Sequence, residues 1–420
     1  MKKNYNTLIQ SLFSICGFLV TAILLLFSFQ LISSHFSPEN LSIYLILNTI
    51  ITIGTALDFG LKMDLIKTVA SDFKNGKSFV NSFLNYLMII LVFSIFYSFI
   101  IFVTKSIFLE NYSNLDVKLL SVTLNYFFIF FAFHHIGISM PFFYEGLNNF
   151  KASFILKTIK SFFTNIFPIA YCIFLENNNF LFFIKILTLG NILSFFFMWL
   201  FISIDQRKIF INNSFKLFSM KKFKSTVGLT KYIFFETFLN ISLVQIINLY
   251  VLANFKSEIS NSFKIITVIL TYINQLFGSM FIVILPIFAN EKYSQFKKSI
   301  FNAFKLNLVL SLVVYASFYS IFLYFKNVYL PNISFSSFNL LLFYLCTAYY
   351  IQTTKIPFYF SSISFGKPQI YFIHTLVNFL ICMSMIFYRP TNITTISLVF
   401  LISQLISYFT LIKVWRFNFK

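Results

Sequence analysis

Apolar runs long enough to cross a membrane divide the chain into twelve segments, with short polar breaks between them. A membrane-spanning helix needs about 20 apolar residues, and it satisfies its own backbone hydrogen bonds inside the lipid. The pattern therefore predicts an all-α integral membrane protein with about twelve transmembrane helices. The predicted spans are 11–33, 41–60, 83–104, 119–140, 158–175, 180–204, 232–254, 262–288, 305–326, 339–354, 369–388 and 394–412. The stretches between them are predicted as loops.

The composition strengthens this prediction. Hydrophobic residues make up 58% of the chain and charged residues only 10%, whereas about a quarter of the residues in soluble domains are charged. The four cysteines all fall in apolar segments and none of them forms a C-x-x-C pair. Neither a disulfide framework nor a metal site is indicated.

The net charge of +20 is distributed unevenly between alternate loops. Lysine and arginine concentrate at both chain ends and in every second loop, most densely in the loop near 205–231. Cytoplasmic loops carry this excess, so the pattern predicts that both termini lie in the cytoplasm. The same asymmetry accounts for most of the positive charge without a nucleic-acid partner. We expect the basic loops to lie against anionic lipid headgroups.

Two loops six spans apart have similar sequences. "PFFYEGLNNFK" at 141–151 and "PFYFSSISFGK" at 357–367 share a Pro, a following Phe, further aromatic residues and a closing Lys. Six spans is an even number, so the two halves would be parallel repeats about an axis along the membrane normal. This predicts two six-helix bundles, 1–215 and 216–420. A chance match in a Phe-rich chain is the alternative.

Polar residues recur at helical spacing along particular spans. Positions i, i+4, i+7 and i+11 share one helix face. Such a face predicts the lining of a water-filled cavity between the halves, and the alternative is helix–helix contact through small and hydroxyl residues. The candidate cavity residues are Gln10, Ser14 and Thr21 in span one, Asn48, Thr52, Thr55 and the following Lys62 in span two, and Lys264, Thr267, Thr271 and Gln275 in span eight.

Ionisable residues inside spans are candidates for function. Glu236 lies about five residues into span seven, and Asp58 stands one turn before Lys62; both are candidate coupling acids, although Glu236 could also be an interfacial acid. Lys264 lies near the outer end of its span, where the alternative is a side chain that extends to the lipid headgroups. The histidines of spans four and eleven could relay protons, but buried, neutral, hydrogen-bonded histidine is the commoner case. They are His134, His135 and His374.

Motifs of catalysis are missing from the sequence. No Walker A, H-E-x-x-H or G-x-S-x-G sequence occurs, and the "DFG" at 58–60 lacks every other element of a kinase. No loop is long enough for an outside domain. These observations indicate a transporter rather than an enzyme, with no cofactor and no catalytic residue.

Four stretches resemble the O-antigen and capsule repeat-unit flippases of the multidrug, oligosaccharidyl-lipid and polysaccharide exporter (MOP) superfamily. They are "LDFGLKMDLIKTVA" after span two, "FYEGLNNF" after span four, "LPIFANE" at the end of span eight and "ISFGKPQ" after span ten. The likeness covers almost the whole chain. Two positions depart from it: Gln30 stands where the family often has Arg, and "SPENLSIY" lacks the usual Gly. The family's cavity is generally lined by spans one, two, seven and eight.

This resemblance implies a transporter in the inner, cytoplasmic membrane that flips undecaprenyl-diphosphate-linked oligosaccharides by alternating access. Lys62 and Lys264 would hold the diphosphate, and the polar faces would bind sugar. Glu236 or Asp58 would couple transport to an H+ or Na+ gradient. The polysaccharide polymerase and the chain-length machinery would be partners. The alternatives are a multidrug exporter on the same scaffold and a membrane polysaccharide polymerase or ligase.

Overall fold

The computed structural model describes residues 2–56, 61–74, 79–112, 115–174, 179–207, 220–282, 293–329, 337–364 and 367–418, and these residues are almost entirely helical. The chain divides into two compact units, Met1–Phe234 (unit 1) and Phe235–Lys420 (unit 2). The predicted division between residues 215 and 216 lies in a stretch outside the described residues.

Unit 1 holds ten helices and the start of an eleventh among its described residues. A π-helical turn, Phe162–Ile166, joins α8 to α9. The helices are α1 (Lys2–His35), α2 (Pro38–Ala56), α3 (Leu61–Lys74), α4 (Phe79–Val103), α5 (Lys105–Asn111), α6 (Val117–Ser139), α7 (Pro141–Gly146), α8 (Phe150–Ser161), α9 (Phe167–Phe174) and α10 (Phe180–Asp205).

Unit 2 contains most of α11 and six further helices in its described part. In this unit α14 packs against α12, α13 and α17, and α17 also packs against α16. The helices are α11 (Met220–Asn254), α12 (Ser257–Ile282), α13 (Tyr293–Tyr329), α14 (Phe338–Thr354), α15 (Ile356–Ser364), α16 (Gln369–Phe387) and α17 (Ile393–Asn418).

Each of the twelve predicted spans coincides with a helix or, for span five, with α8, the π turn and α9. Seven described stretches are long and apolar enough to cross a membrane, and Leu19–His35 and Gln369–Ser384 are shorter apolar helices. The seven are Phe79–Val103, Val117–Gly146, Phe180–Asp205, Phe234–Asn254, Ser257–Phe281, Ile300–Tyr324 and Ile393–Trp415.

The prediction of loops was wrong for several of the connecting segments. Helix α3 forms in the charged stretch after span two because Leu65 and Val69, one turn apart, are both buried against aromatic residues of α4 and α7. Helix α7 approaches α3 very closely at Gly146, where a Cβ atom would lie 2.8 Å from the Cβ of Val69. Apolar side chains at helical spacing thus turn a charged connection into packed structure.

Each of the two stretches predicted to be repeats includes a short helix. Pro141 begins α7 directly after α6, and Pro357 is the second residue of α15 directly after α14. Both short helices therefore follow the fourth helix of a predicted six-span half. Proline is well suited to the first turn of a helix, because that turn leaves backbone N–H groups unpaired in any case.

Close backbone contacts at glycines position two helices of unit 1. Gly54 of α2 lies against the rings of Tyr97 and Phe131, with no room for a Cβ atom. The hydroxyl of Tyr97 also donates a hydrogen bond of 2.8 Å to the carbonyl of Ile50, so α2 is held against α4. Elsewhere, a Cβ atom on Gly190 of α10 would lie 2.5 Å from the carbonyl oxygen of Phe163 in the π turn.

Candidate functional site

Helix α12 carries one polar face whose exposure changes along its length. Lys264 and Thr267 are buried, Thr271 is half-buried and Gln275 is exposed. One turn further on, a Cβ atom at Gly278 would meet no atom within 4 Å. The four residues predicted for this span therefore do share a face, and that face opens progressively towards its C-terminal end.

The Lys264 side chain is buried, with 1% of its surface exposed. Its Nζ atom donates a hydrogen bond of 2.7 Å to the side-chain oxygen of Gln245 on α11. The alternative that Lys264 extends to the lipid headgroups is therefore wrong. The amide oxygen of Gln245 offers an acceptor inside the unit, which removes the need to reach water.

The polar face of α12 continues onto α11 through a second amide. Thr267 donates a hydrogen bond of 2.9 Å to the side-chain oxygen of Asn248, and the amide nitrogen of Asn248 lies 3.4 Å from the oxygen of Gln245. Sequence reasoning missed Gln245 and Asn248, although two buried amides in an apolar span are themselves a signal. Every hydrogen-bonding side chain that surrounds Lys264 in this network is neutral.

Helix α14 closes the other side of the α12 face. The hydroxyls of Thr271 and Tyr349 are 2.9 Å apart, and the Tyr349 hydroxyl also donates to the backbone oxygen of Thr267 at 3.3 Å. One turn along α14, Thr353 donates a hydrogen bond of 2.9 Å to the side chain of Asn274. Three helices of unit 2 thus share one polar network.

A second lysine of unit 2 is equally buried. Lys355, immediately after α14, is 1% exposed. Its ammonium donates hydrogen bonds of 2.8 Å to Gln404 and 2.7 Å to Ser407, both on α17. Two acceptors on α17 therefore hold the Lys355 side chain inside the unit.

Glu236 on α11 is buried, with 5% of its surface exposed. Its carboxylate accepts a hydrogen bond of 3.2 Å from Thr237, and no lysine, arginine or histidine of the described residues forms an ion pair with it. One turn along, Asn240 accepts a hydrogen bond of 3.1 Å from Gln352 of α14. The carboxylate of Glu236 is therefore enclosed within unit 2.

The three histidines within the spans all form hydrogen bonds. His134 lies 3.0 Å from the side-chain oxygen of Asn191, and His135 lies 3.0 Å from the hydroxyl of Ser94. The ring of His374 lies 2.7 Å from the backbone oxygen of Tyr371. These contacts match the structural interpretation of the histidines rather than a relay.

Four of the predicted site residues of unit 1 have described side chains, and they lie on α1 and α2. The Thr21 hydroxyl lies 2.6 Å from that of Ser161 and so belongs to the contact between α1 and α8. Asn48, Thr52 and Thr55 are half-buried on α2, where both threonine hydroxyls donate to carbonyls of their own helix. Four further predicted positions fall outside the described residues or side chains: Gln10, Ser14, Asp58 and Lys62.

A partly buried ion pair joins two helices of unit 1, at positions that sequence reasoning treated as loop. Lys157 of α8 lies 2.7 Å from the carboxylate of Glu145 on α7, which also accepts a hydrogen bond of 3.0 Å from Ser153. Lys157 is therefore neutralised within the unit. This distinguishes it from Lys264 and Lys355, whose hydrogen-bonding partners are neutral.

Comparison of the sequence with protein-family profiles and with curated proteins finds no match. Solved structures do match. An inward-facing multidrug resistance MATE family transporter of the MOP superfamily is similar with a TM-score of 0.77, at 12% identity over 97% of this chain and 98% of that one. A mutant MATE transporter of Vibrio cholerae has a TM-score of 0.68, at 12% identity over 99% and 96% of the two chains.

A third similar structure is a MOP superfamily transporter from Pyrococcus furiosus, described as having a binding pocket of reversed polarity that suggests a different function. Its TM-score is 0.64, at 13% identity over 99% of this chain and 95% of that one. Identities this low show the fold alone. The chain is a multi-pass membrane protein with the twelve-helix, two-repeat fold of MATE transporters.

Proposed function

We propose that the chain is a transporter that flips undecaprenyl-diphosphate-linked oligosaccharide repeat units across the cytoplasmic membrane by alternating access. Its product would serve O-antigen or capsule synthesis. The fold, shared with transporters, supports the transport step. The observation that carries the choice of cargo is Lys264, a buried lysine whose one hydrogen-bond acceptor among the described residues is a neutral amide.

A buried ammonium group is costly unless it is paired with an anion or fully hydrogen-bonded. Lys264 has three N–H donors, and one of them donates to Gln245. A diphosphate supplies the missing acceptors and the opposite charge. Lysine binds phosphate as a point charge, without the planar geometry that arginine requires.

The remainder of the α12 face suits a sugar. Thr271 is half-buried and Gln275 is exposed, so a hydroxyl and an amide continue along the helix from the lysine. Gln275 lies eleven residues further along the helix than Lys264, a distance of about 16 Å at about 1.5 Å per residue. That length accommodates several sugar rings. In this proposal Lys264 holds the diphosphate, while Thr271 and Gln275 bind the sugar.

A multidrug exporter is the second candidate, and Glu236 is the observation that favours it. A buried carboxylate without a cationic partner could bind a cationic drug or a coupling ion. Two of the similar structures are multidrug or MATE transporters. The first proposal uses Glu236 or Asp58 as the coupling acid for an H+ or Na+ gradient. The polysaccharide polymerase and the chain-length machinery are the expected protein partners.

A deletion strain tests the proposal. The strain should lose surface polysaccharide and accumulate single lipid-linked repeat units on the cytoplasmic side of the membrane. Expression of Lys62→Ala/Lys264→Ala should fail to restore the polysaccharide at normal protein level, whereas Lys185→Ala, which removes an exposed lysine, should restore it. Single units displayed outside would indicate a missing polymerase instead. Normal polysaccharide with increased sensitivity to cationic drugs would favour the exporter.

A further inference from the structure

We infer that Lys264 takes up a proton when the diphosphate binds, so that cargo binding and protonation occur together at one side chain. This inference rests on the proposed function. It differs from the use of Glu236 as a coupling acid, because the proton would associate with the cargo-binding residue itself. Three features of unit 2 carry it: the burial of Lys264, the neutrality of its surroundings and the opening of the α12 face.

The burial of Lys264 makes its charge costly before the cargo arrives. The side chain is 1% exposed and its one hydrogen-bond acceptor is the Gln245 oxygen. Removing a charge from water without an opposite charge costs several kcal/mol, and an ionisable group in such a place tends to give up its charge. A neutral amine can still donate the hydrogen bond to Gln245. In the mechanism that we infer, the lysine of the empty transporter is this uncharged amine.

Among the described residues, no charged group offsets that cost. From α11 the side chains of Gln245 and Asn248 face Lys264, and the titratable group that α14 brings to the network is the hydroxyl of Tyr349. On α12 itself, the carboxylate of Glu258 is exposed. No described acidic side chain forms an ion pair with Lys264, in contrast to Lys157 with Glu145.

The diphosphate reverses this preference. In a sugar linked to a lipid through a diphosphate, each phosphate has one ester bond, one anhydride bond and one strongly acidic oxygen, so its charge stays constant around neutral pH. Contact with such an anion favours the ammonium form of lysine. The proton must therefore come from solvent, and thermodynamic linkage requires that the affinity for cargo falls as the pH rises above the point where the empty site loses its proton.

The test is the pH dependence of binding by the full chain in detergent. The ligand is undecaprenyl-diphosphate-linked N-acetylglucosamine, measured from about pH 6.5 to about pH 8.5 by calorimetry in buffers of different ionisation enthalpy. We expect uptake of up to about one proton per bound ligand and an affinity that falls by up to about tenfold per pH unit in the alkaline range.

The Lys264→Arg variant tests whether this residue is the one that takes up the proton, since arginine stays charged when buried. Its binding should show neither proton uptake nor the fall in affinity, and Lys185→Arg at an exposed position should behave like the wild type. If the arginine variant does not fold, Lys264→Met replaces it in the test. This variant should lose affinity for the ligand. Wild-type binding without proton uptake would overturn the inference and leave the proposed function standing. An absence of binding at every pH would overturn the proposed function, and unchanged uptake by Lys264→Arg would remove Lys264 from the proton step.

Discussion

The Nζ atom of Lys264 on α12 donates a hydrogen bond of 2.7 Å to the side-chain oxygen of Gln245 on α11. The contact joins two helices of unit 2 inside the protein. It also means that the residue we assign to the diphosphate contacts a neutral acceptor, which an anionic cargo could replace or supplement.

Substitution of Gln245 by glutamate should block the cargo. A carboxylate at this position would form an ion pair with Lys264 and compete with the diphosphate. We expect Gln245→Glu to lower the affinity for the lipid-linked sugar by more than about tenfold, which corresponds to about 1.4 kcal/mol. Binding of the ligand in detergent measures the effect, and thermal melting checks that the variant folds.

Gln404→Glu is the matched control, because it places a carboxylate beside the other buried lysine, Lys355. We assign no cargo to Lys355, so this variant should retain wild-type affinity. An equal loss of affinity in both variants would show that negative charge anywhere in unit 2 disturbs binding, and the assignment of Lys264 would then fail.

Two glycines should respond in opposite ways to alanine. Gly190→Ala would place a Cβ atom 2.5 Å from the carbonyl oxygen of Phe163, and a backbone atom in a packed helix cannot easily move away. We expect a cost of about 1–3 kcal/mol from overpacking. Gly278→Ala meets no atom within 4 Å and should gain up to about 1 kcal/mol from helix propensity.

Melting temperatures in detergent distinguish the two variants, with Gly190→Ala below the wild type and Gly278→Ala at or above it. Gly278→Leu extends the comparison, since it narrows the open end of the α12 face without a clash in the described structure. Equal melting temperatures for both alanine variants would contradict the close contact between the π turn and α10.

Lys355 and Gln404 should be energetically coupled. Gln404→Leu would leave the ammonium of Lys355 with Ser407 as its remaining acceptor, and we expect a loss of about 1–3 kcal/mol in unfolding free energy. Lys355→Met should cost less, because it removes the buried charge together with its need for acceptors.

The double variant measures the coupling. Lys355→Met/Gln404→Leu should be more stable than the sum of the two single effects predicts, with an interaction of about 0.5–3 kcal/mol. Additive effects would show that the hydrogen bond contributes nothing to the packing of α14 against α17.

Glu236→Gln should fold normally but lose the coupling of transport to an ion gradient. The amide is neutral and nearly the same shape, and Glu236 has no cationic partner to leave unpaired among the described residues. We therefore expect normal expression and normal exchange of cargo between equal pools in proteoliposomes. Transport driven by an H+ or Na+ gradient should fall to the level without a gradient. Gradient-driven transport at the wild-type rate would exclude Glu236 as the coupling acid.

Much of the fold could be predicted because a membrane helix can be recognised from its length and hydrophobicity alone. All twelve predicted spans correspond to helices. The short helices α3, α7 and α15 were missed because they are too polar or too short to stand out among longer apolar runs. Their formation depends on residues far away in sequence, as where Leu65 and Val69 of α3 pack on Phe143 and Tyr144 of α7.

The candidate site could be predicted on α12, where four polar residues at helical spacing do share a face. It was missed on α11, because the amides of Gln245 and Asn248 mark that span as polar but only the structure shows that they contact α12. The same limit applies to Lys355, which in sequence looks like any lysine at the end of a span. The Lys355 side chain lies inside unit 2 because its acceptors, 49 and 52 residues away in sequence, are on α17.

The sequence by itself determined the membrane class, the positions of the long apolar helices and the polar face of α12, because each follows from local hydrophobicity and the periodicity of one helix. Only the tertiary structure decided which ionisable residues are buried and what they contact. Burial and hydrogen-bond partners are properties of several helices at once, and a lysine at a span end can face water, lipid headgroups or the interior with equal local sequence. Lys264 and Lys355 face the interior because amides and hydroxyls on neighbouring helices accept their hydrogen bonds.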